Sequence, residues 1–262
     1  MKGDTPRLVG KYREFLVAAG YSVSAIRQRC RMLERLGKAP EDVTQADIVD
    51  FLGGLELTNA SRRVYLGQLR SAFSDMARLG WLPVDPTVGI KTAPVARYSP
   101  RPLTPDQIAT LQSGVDGRTW DWTVLGMYAG LRSSEVAAVE GRHLERRPAG
   151  WTLRIPNGKG GTDLAIPAHD QVVEVVQRYG KAGRLWYVSG HALSKTWSAA
   201  AAAAGLPGLR FHQCRHTFGS AAYRSTRDLL VTQRLMRHAS VSTTQVYAQL
   251  DDDAQFAAVA GL

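Results

Sequence analysis

Cysteine is nearly absent from the 262-residue chain, which contains only Cys30 and Cys214. Each lies within an apolar helical pattern, so we expect two buried, reduced thiols and no disulfide. Long apolar runs are missing as well: no stretch approaches the roughly 20 residues that a membrane helix needs, and the N-terminus lacks the apolar segment of a signal peptide. These absences favour a cytoplasmic protein that does not enter a membrane.

Acidic residues are scarce relative to basic ones, with 23 Asp and Glu against 33 Lys and Arg and a formal net charge of +10. The excess is evenly spread, since residues 1–97 contain 15 basic and 10 acidic residues and residues 98–262 contain 18 and 13. A charge of this sign favours an anionic partner such as DNA over a neutral small molecule. An even distribution suits a chain whose two halves both contact the DNA.

Helical periodicity dominates residues 1–92. Four apolar patterns with short connections predict a small helical bundle, and Thr44 with Asp47 has the spacing of a capping box. Basic side chains outnumber acidic ones on these helices, which suits contacts to phosphates, although solvated helix faces would give the same pattern. The candidate DNA contacts in this domain are Arg27, Arg31, Arg62, Arg63 and Arg70.

A segment with three prolines and little periodicity covers residues 93–102. It predicts an extended linker, after which a second domain covers residues 103–262. Within that domain, β-type runs at 151–156 and 162–167 flank an Asn-Gly turn that carries Lys159, as in a hairpin. No Walker pattern surrounds this lysine, so nucleotide binding is not indicated. The fold class is therefore expected to be mainly α with a small β-sheet (α+β).

The densest group of polar candidate residues lies near the C-terminal end of the chain. An amphipathic helical pattern there places His212 and Arg215 three residues apart, on one face. A second helical pattern ends at the polar turn that contains His238. Ser242 is then expected to cap a short helix that carries Tyr247.

These residue types suit chemistry at a phosphodiester. A guanidinium offers a planar fork of donors that matches phosphate oxygens and keeps its charge near neutral pH. Imidazoles add donors or acceptors at that pH. A phenol, with a pKa near 10, becomes a nucleophile only when cations or a base assist it. Together such groups could hold one phosphate and let a tyrosine attack it, with no metal or ATP required.

Four motifs occur in order along the second domain: GLRSSEV around Arg132, NGKGG around Lys159, HQCRHTFGS from His212 and RHASVSTTQVY from Arg237. His238 follows Arg215 by 23 residues, and Tyr247 follows His238 by 9. In this combination the chain resembles the tyrosine recombinase (phage integrase) family. A single motif such as HxxR would be weak evidence for the family, because two-residue patterns recur by chance. The resemblance covers about residues 103–250 by motif and, more loosely, the N-terminal part by its helical pattern.

The resemblance implies a site-specific DNA recombinase (integrase) that cleaves and rejoins duplex DNA through a 3′-phosphotyrosine intermediate. Its nucleophile would be Tyr247. The other implied roles are transition-state stabilisation by Arg132, Arg215 and His238, assistance to proton transfer by His212, and donation of a proton to the leaving 5′ oxygen by Lys159.

Two supporting residues are expected beside this set. Glu135 lies three positions after Arg132 and would orient its guanidinium; an ordinary surface ion pair is the alternative. His216 is expected to brace its helix from behind. His212 and His216 lie four residues apart and could clamp a metal, but the sequence offers no obvious third ligand, so neither a metal nor another cofactor is expected.

Two positions depart from the family pattern. Directly before the last histidine the family usually has a small residue, commonly glycine, where this chain has Arg237. We expect Arg237 to add a cation close to the phosphate and include it among the candidate DNA contacts. Cys214 replaces a larger aliphatic residue. Neither change removes a catalytic group.

The resemblance also implies an organisation and partners. The helical bundle would be a core-type DNA-binding domain, and no additional arm-binding domain is expected. The partners would be double-stranded DNA with a recombination (attachment) site, three further copies in a homotetramer on that DNA, and an accessory directionality factor. The setting would be a bacterial host cell or its nucleoid, with phage genome integration as one task.

Two other functions remain open at this point. A type IB topoisomerase uses a similar residue set but religates the same strand as a monomer. A catalytically silent DNA-binding regulator on the same fold would have lost one or more active-site groups, whereas all six are present. The apolar C-terminal tail could pack on its own domain or on a neighbouring protomer.

Overall fold

The computed structural model of the protein describes residues 7–95, 99–155, 164–180 and 183–248. The chain divides into two compact units, Met1–Arg97 and Tyr98–Leu262. Helices predominate and a small sheet lies in the second unit, so the expected fold class is confirmed. The expected domain limits and the linker over 93–102 stay predictions, because residues 96–98 lie outside the described residues.

Four α-helices form the described part of the first unit: α1 Arg7–Ala18, α2 Val23–Arg35, α3 Gln45–Gly53 and α4 Asn59–Arg78. The predicted capping box opens α3, where the Thr44 hydroxyl accepts from the Asp47 amide at 3.2 Å and the Asp47 carboxylate accepts from the Thr44 amide at 2.9 Å. Tyr12, Leu33 and Phe73 come from three of these helices and are buried in one apolar core. Burial of one stripe per helix therefore holds the bundle together.

Eight α-helices lie in the described part of the second unit: α5 Pro105–Gly114, α6 Gly117–Tyr128, α7 Ser133–Val136, α8 Asp170–Arg178, α9 Gly190–Ala203, α10 His212–Thr226, α11 Leu229–Met236 and α12 Gln245–Ala248. Short 3-10 helices occur at Gly141–His143 and Val241–Thr243. Ser240, not Ser242, caps the second of these by accepting from a backbone amide at 3.3 Å. Ser242 itself lies inside this 3-10 helix, so the prediction that it caps the helix carrying Tyr247, α12, is wrong.

In the described residues the sheet has three antiparallel strands in the order β1 Leu144–Arg147, β2 Gly150–Ile155 and β3 Leu164–Pro167. The predicted hairpin is confirmed by the pairing of β2 with β3. Its turn, with Lys159, lies outside the described residues. The sequence pattern did not indicate β1, because three of its four residues are charged.

Close packing of α6 against α10 positions the residues of interest. Gly126 lies on α6 where a Cβ would come within 2.6 Å of the Cβ of Cys214, so the two helices approach closely only with glycine there. Cys214 is buried and reduced, as is Cys30, which confirms the prediction for both cysteines. The first turn of α10 is thereby fixed beside α6, whose C-terminal end leads to Arg132.

Within the described part of the chain, none of the helices combines the length and the apolar character needed to cross a membrane.

Candidate active site

The turn between α6 and α7 places Arg132 at the start of α7. Gly130 has φ +59°, and a Cβ there would come within 2.4 Å of the ring of Phe218. Both the positive φ and the close contact favour glycine. Arg132 is the N-cap of α7, and Glu135 lies in its first turn. The carboxylate of Glu135 accepts a hydrogen bond from the Arg132 amide and another from Arg132 Nη1, both at 2.8 Å.

Glu135 also meets two further guanidinium groups. Its Oε2 lies 3.0 Å from Arg237 Nη2 and 3.8 Å from Arg215 Nη1. Burial raises the pKa of Glu135, but the charge of Arg237 and the amide and charge of Arg132 outweigh burial and leave the pKa below its ordinary value. The carboxylate is therefore ionised at pH 7 and offsets part of the charge of three arginines. The alternative of an ordinary surface ion pair between Arg132 and Glu135 does not hold, because the side chain of Glu135 is only 15% exposed.

Arg215 lies in the first turn of α10 and is fully buried. Its Nη1 donates to the carbonyl of Gly130, and its Nη2 donates to the carbonyl of Met236. Burial and the charges of Arg132 and Arg237 lower the pKa of Arg215 to about 9, which leaves the side chain cationic at pH 7. The guanidinium thus fixes the end of α11 against the turn before Arg132.

Three imidazoles lie around this guanidinium. The rings of His212 and His216 meet edge to face, with centroids 4.5 Å apart. Nδ1 of His238 lies 3.0 Å from the hydroxyl oxygen of Thr244. Burial and neighbouring charges lower the pKa of all three imidazoles, to about 4 for His216 and His238. The latter two are therefore neutral at pH 7.

Tyr247 is buried on α12, between α10 and the His238 turn. Its hydroxyl oxygen lies 3.1 Å from Nδ1 of His216, and its ring is nearly parallel to that of His238, with centroids 6.3 Å apart. Gly219 of α10 lies against the ring, where a Cβ would come within 2.5 Å of the Cζ atom. The expectation that His216 braces α10 from behind is therefore wrong, because its ring faces the tyrosine.

A cavity of about 760 Å³ opens beside these residues and is lined by Arg132, Ser134, Glu135, Ile155, Leu164, Ala165, Gln233, Arg234, Arg237, His238 and Ala239. Its lining includes the last residue of β2 and the first two of β3. Lys159 itself lies outside the described residues, so its place in the site stays a prediction.

The candidate DNA contacts fall into two groups. Arg27, Arg31, Arg63 and Arg70 are exposed on the first unit, and Arg62 is partly buried. Arg62 donates to the carbonyls of Leu52 at 3.3 Å and Leu55 at 3.4 Å, and Arg70 donates to the carbonyl of Ile90. These two arginines of α4 thus also link that helix to the backbone of residues 52–55 and 90 by hydrogen bonds.

Arg237 differs from these arginines. Its side chain is 3% exposed, and its terminal nitrogens donate to three backbone carbonyls and to Glu135. With these donors bonded to the protein, the geometry gives no support to Arg237 as a direct DNA contact. Its expected nearness to the phosphate stays a prediction, because its guanidinium bonds the same carboxylate as Arg132.

No group of three or more His, Cys, Asp or Glu side chains is arranged to hold a metal ion in the described ranges. His212 and His216 face each other, but the described residues add no third ligand to the pair.

Residues 102–254 match the model of the phage integrase family. That match spans more than half of the chain. The chain belongs to the phage integrase family. A tyrosine recombinase of Thermosipho africanus (strain TCF52B) is 25% identical over 255 residues, which cover 87% of this chain and 88% of that protein. Tyrosine recombinase XerC of Chromohalobacter salexigens is 31% identical over 230 residues, covering 76% of this chain and 74% of that protein.

Among solved structures, a lambda integrase fragment, a dimer bound to a COC′ core site, matches with a TM-score of 0.73. The sequences are 18% identical, and the match covers 90% of this chain and 95% of that one. At that identity the likeness shows the fold. As a phage integrase family member with tyrosine recombinase relatives, the chain is a site-specific recombination enzyme that breaks and rejoins DNA strands.

Sequence reasoning missed two residues of this integrase site. Thr244 contacts the ring of His238, and Gly219 lies against Tyr247. The glycine carried a signal, since Gly219 interrupts a helical pattern in which alanine would be favoured. Thr244 carried none, because a threonine three residues before a tyrosine is ordinary in a short helix.

Proposed function

We propose that Tyr247 is the nucleophile of this recombinase and attacks the scissile phosphate of a duplex. The observation that carries the proposal is the convergence of Arg132, Arg215 and His238 from three separate chain segments. Arg132 and Arg215 meet at the carboxylate of Glu135, and the ring of Tyr247 lies parallel to that of His238. This arrangement supplies cations and a phenol to the same small region.

In the proposed step, the phenolic oxygen forms a bond to phosphorus while the bond from phosphorus to the 5′ oxygen breaks. The phenolic proton passes from the tyrosine to a neighbouring neutral imidazole, and the 5′ oxygen takes up a proton from Lys159 to become a free hydroxyl. Arg132, whose side chain is 43% exposed, contacts the non-bridging oxygens, and the buried charge of Arg215 adds to the neutralisation of the charge that develops on them. His212 assists the proton transfer and Lys159 supplies the proton to the 5′ oxygen, as the family resemblance implies.

The 3′-phosphotyrosine conserves the energy of the broken bond. The 5′ hydroxyl of a partner strand can therefore attack it, re-form a phosphodiester and release Tyr247 without ATP. We assign neutral His238 a hydrogen bond donated to the phosphate from Nε2, with Nδ1, which lies 3.0 Å from the Thr244 hydroxyl oxygen, as an acceptor. This assignment places the proton on Nε2, the tautomer in which Nδ1 accepts from the threonine.

The proposed partner is double-stranded DNA with an attachment site, bound by both units. Arg27, Arg31, Arg63 and Arg70 are exposed arginines of the first unit that we propose as phosphate contacts. A solved relative of this fold is a lambda integrase tetramer bound to a Holliday junction, and we propose the same stoichiometry here. An accessory directionality factor and a setting in the cytoplasm or nucleoid of a bacterial host complete the proposal.

The experiment that tests it begins with a pool of nicked duplexes that carry randomised half-sites. DNA trapped covalently on the protein is sequenced to recover the site, and two intact duplexes with that site, one of them in a supercoiled plasmid, are then incubated with the protein. Exchange of strands between the duplexes supports a recombinase. Relaxation of supercoils without exchange or junction resolution would instead support the topoisomerase alternative.

A further inference from the structure

The residue before His238 has an unusual backbone conformation. Arg237 is the C-cap of α11 and has φ +54°, ψ +44°, in the left-handed region that favours glycine. Among the described residues, the other non-glycine residue with a positive φ is Arg227, at +53°. The cost of this conformation for arginine can be offset by contacts of the side chain.

The guanidinium of Arg237 joins two turns. Nη2 donates to the carbonyl of Gly130 at 2.8 Å and to Glu135 Oε2 at 3.0 Å. Nη1 donates to the carbonyls of Leu235 at 3.0 Å and Ala129 at 3.3 Å. One side chain thus holds the turn that leads into Arg132 against the turn that leads into His238.

Arg215 makes a parallel connection. It also donates to the Gly130 carbonyl, and its second donor reaches Met236. The Gly130 carbonyl therefore accepts from both guanidiniums, and the last two residues of α11 each accept from one of them. A compact ammonium could not reproduce this fork of donors, because it lacks the planar bidentate geometry.

We propose that Arg237 is a positioning residue of this recombinase, which fixes Arg132 and His238 relative to each other by bonding Ala129, Gly130 and Glu135. The inference rests on the proposed function of those residues at the phosphate. Arg237 itself need not touch the DNA. Its charge has a secondary effect, since burial and the charges of Arg215, Arg132 and Arg237 keep the pKa of His238 low.

The variant that tests this is Arg237→Gly, because glycine fits the backbone conformation and removes only the side chain. Single-turnover cleavage of a nicked duplex is measured at saturating DNA, and DNA affinity is measured separately. We expect cleavage to slow on the order of 10- to 100-fold, since displacement of a positioned group by about 1 Å can cost about 100-fold. The dissociation constant for DNA should stay within about twofold, because a buried side chain contributes little to phosphate binding.

Arg237→Lys separates geometry from charge. It keeps the cation but lacks the planar fork, and its three donors cannot replace the four hydrogen bonds of Arg237, so we expect it to remain at least about fivefold slower than the parent protein. A lysine variant as fast as the parent would show that charge alone suffices. Loss confined to DNA affinity would identify a phosphate contact instead. Either result overturns the positioning role, as does a glycine variant that cleaves at the parent rate.

Arg227→Gly is the matched control, because it also removes an arginine from a left-handed cap, at an exposed position. Its cleavage rate should stay within about twofold of the parent. A denaturation cycle of Arg237→Gly with Glu135→Gln tests the contact without reference to catalysis. The double variant should lose less stability than the sum of the single losses. Additive losses would contradict the inference, whereas failure of the parent protein to form any adduct would count against the proposed function alone.

Discussion

Nδ1 of His216 lies 3.1 Å from the hydroxyl oxygen of Tyr247. Burial, His212 and Arg215 lower the pKa of His216 to about 4, so the imidazole is neutral at pH 7. With its proton on Nε2, the ring can accept the phenolic hydrogen at Nδ1. This contact therefore holds the hydroxyl of Tyr247, the proposed nucleophile on α12, against α10, the helix that also carries Arg215.

Replacement of His216 separates this hydrogen bond from ring packing. His216→Phe keeps a ring but removes the acceptor, and we expect adduct formation to slow about fivefold, since a net hydrogen bond contributes about 1 kcal/mol and about 1.4 kcal/mol is tenfold in rate. His216→Asn keeps a polar acceptor near Nδ1 and should retain more activity. Equal rates for the two variants in single-turnover cleavage would show that the acceptor does not matter.

Gly219 tests the pocket of the tyrosine ring. In Gly219→Ala the new Cβ would come within 2.5 Å of Tyr247 Cζ, so the ring must move. We expect a protein that folds but cleaves at least about tenfold more slowly, because the nucleophile is displaced from its position.

Gly67→Ala is the control for this change. Gly67 lies within α4, and a Cβ there has nothing within 4 Å. Alanine should stabilise the helix by about 0.5–1 kcal/mol without slowing cleavage. If Gly219→Ala cleaves as fast as Gly67→Ala, the contact between α10 and the tyrosine is unimportant.

Loss of the Glu135 charge should destabilise the folded protein. Glu135→Gln leaves the guanidiniums of Arg132, Arg215 and Arg237 without their shared carboxylate, and we expect the free energy of unfolding to fall by about 3 kcal/mol. Chemical denaturation measures the loss. Glu145→Gln breaks a more exposed pair with Arg147 and should cost less than about 1 kcal/mol. Similar losses in the two variants would argue against a central role for Glu135.

Acid should destabilise the protein through two histidines. The pKa values of His216 and His238 lie near 4 in the folded chain, against an ordinary value of 6.5. Between these values the unfolded chain binds protons that the folded chain excludes. The stability contributed by the two neutral imidazoles is therefore fully present above pH 6.5 and is lost as the pH falls towards 4.

The comparison variant carries His216→Asn and His238→Gln. Its Tm should fall less steeply than that of the parent over pH 6.5 to 4, because the carboxylates titrate in both proteins and only the histidine contribution differs. Parallel Tm profiles would mean that the two imidazoles are not held neutral by the fold.

Local signals explain what the sequence could predict. The capping box of Thr44 and Asp47 depends on residues three apart, and the β2–β3 hairpin depends on two β-type runs around an Asn-Gly turn. The family motifs identified the candidate residues because their spacing along the chain is distinctive. The contact between Glu135 and Arg132 was also within reach, since both lie in one helical turn.

Non-local geometry explains the rest. The inward orientation of the Arg237 side chain depends on the carbonyls of residues 129 and 130, which are more than a hundred positions away in sequence. It also depends on a left-handed φ, which the sequence pattern does not predict for an arginine. The orientation of His216 towards Tyr247 depends in the same way on where α12 packs. Strand β1 forms because β2 offers a partner, although its own residues are mostly charged.

Covalent trapping tests the central claim most directly. The protein and its Tyr247→Phe variant are incubated in EDTA with a nicked duplex that carries the recovered site, and the products are separated on a denaturing gel. We predict a slow-migrating adduct for the parent that is absent from the variant, with the DNA attached to Tyr247 by peptide mapping. DNA binding without any adduct on a verified site, or an adduct that persists in the variant, would contradict the assignment of Tyr247 as the nucleophile.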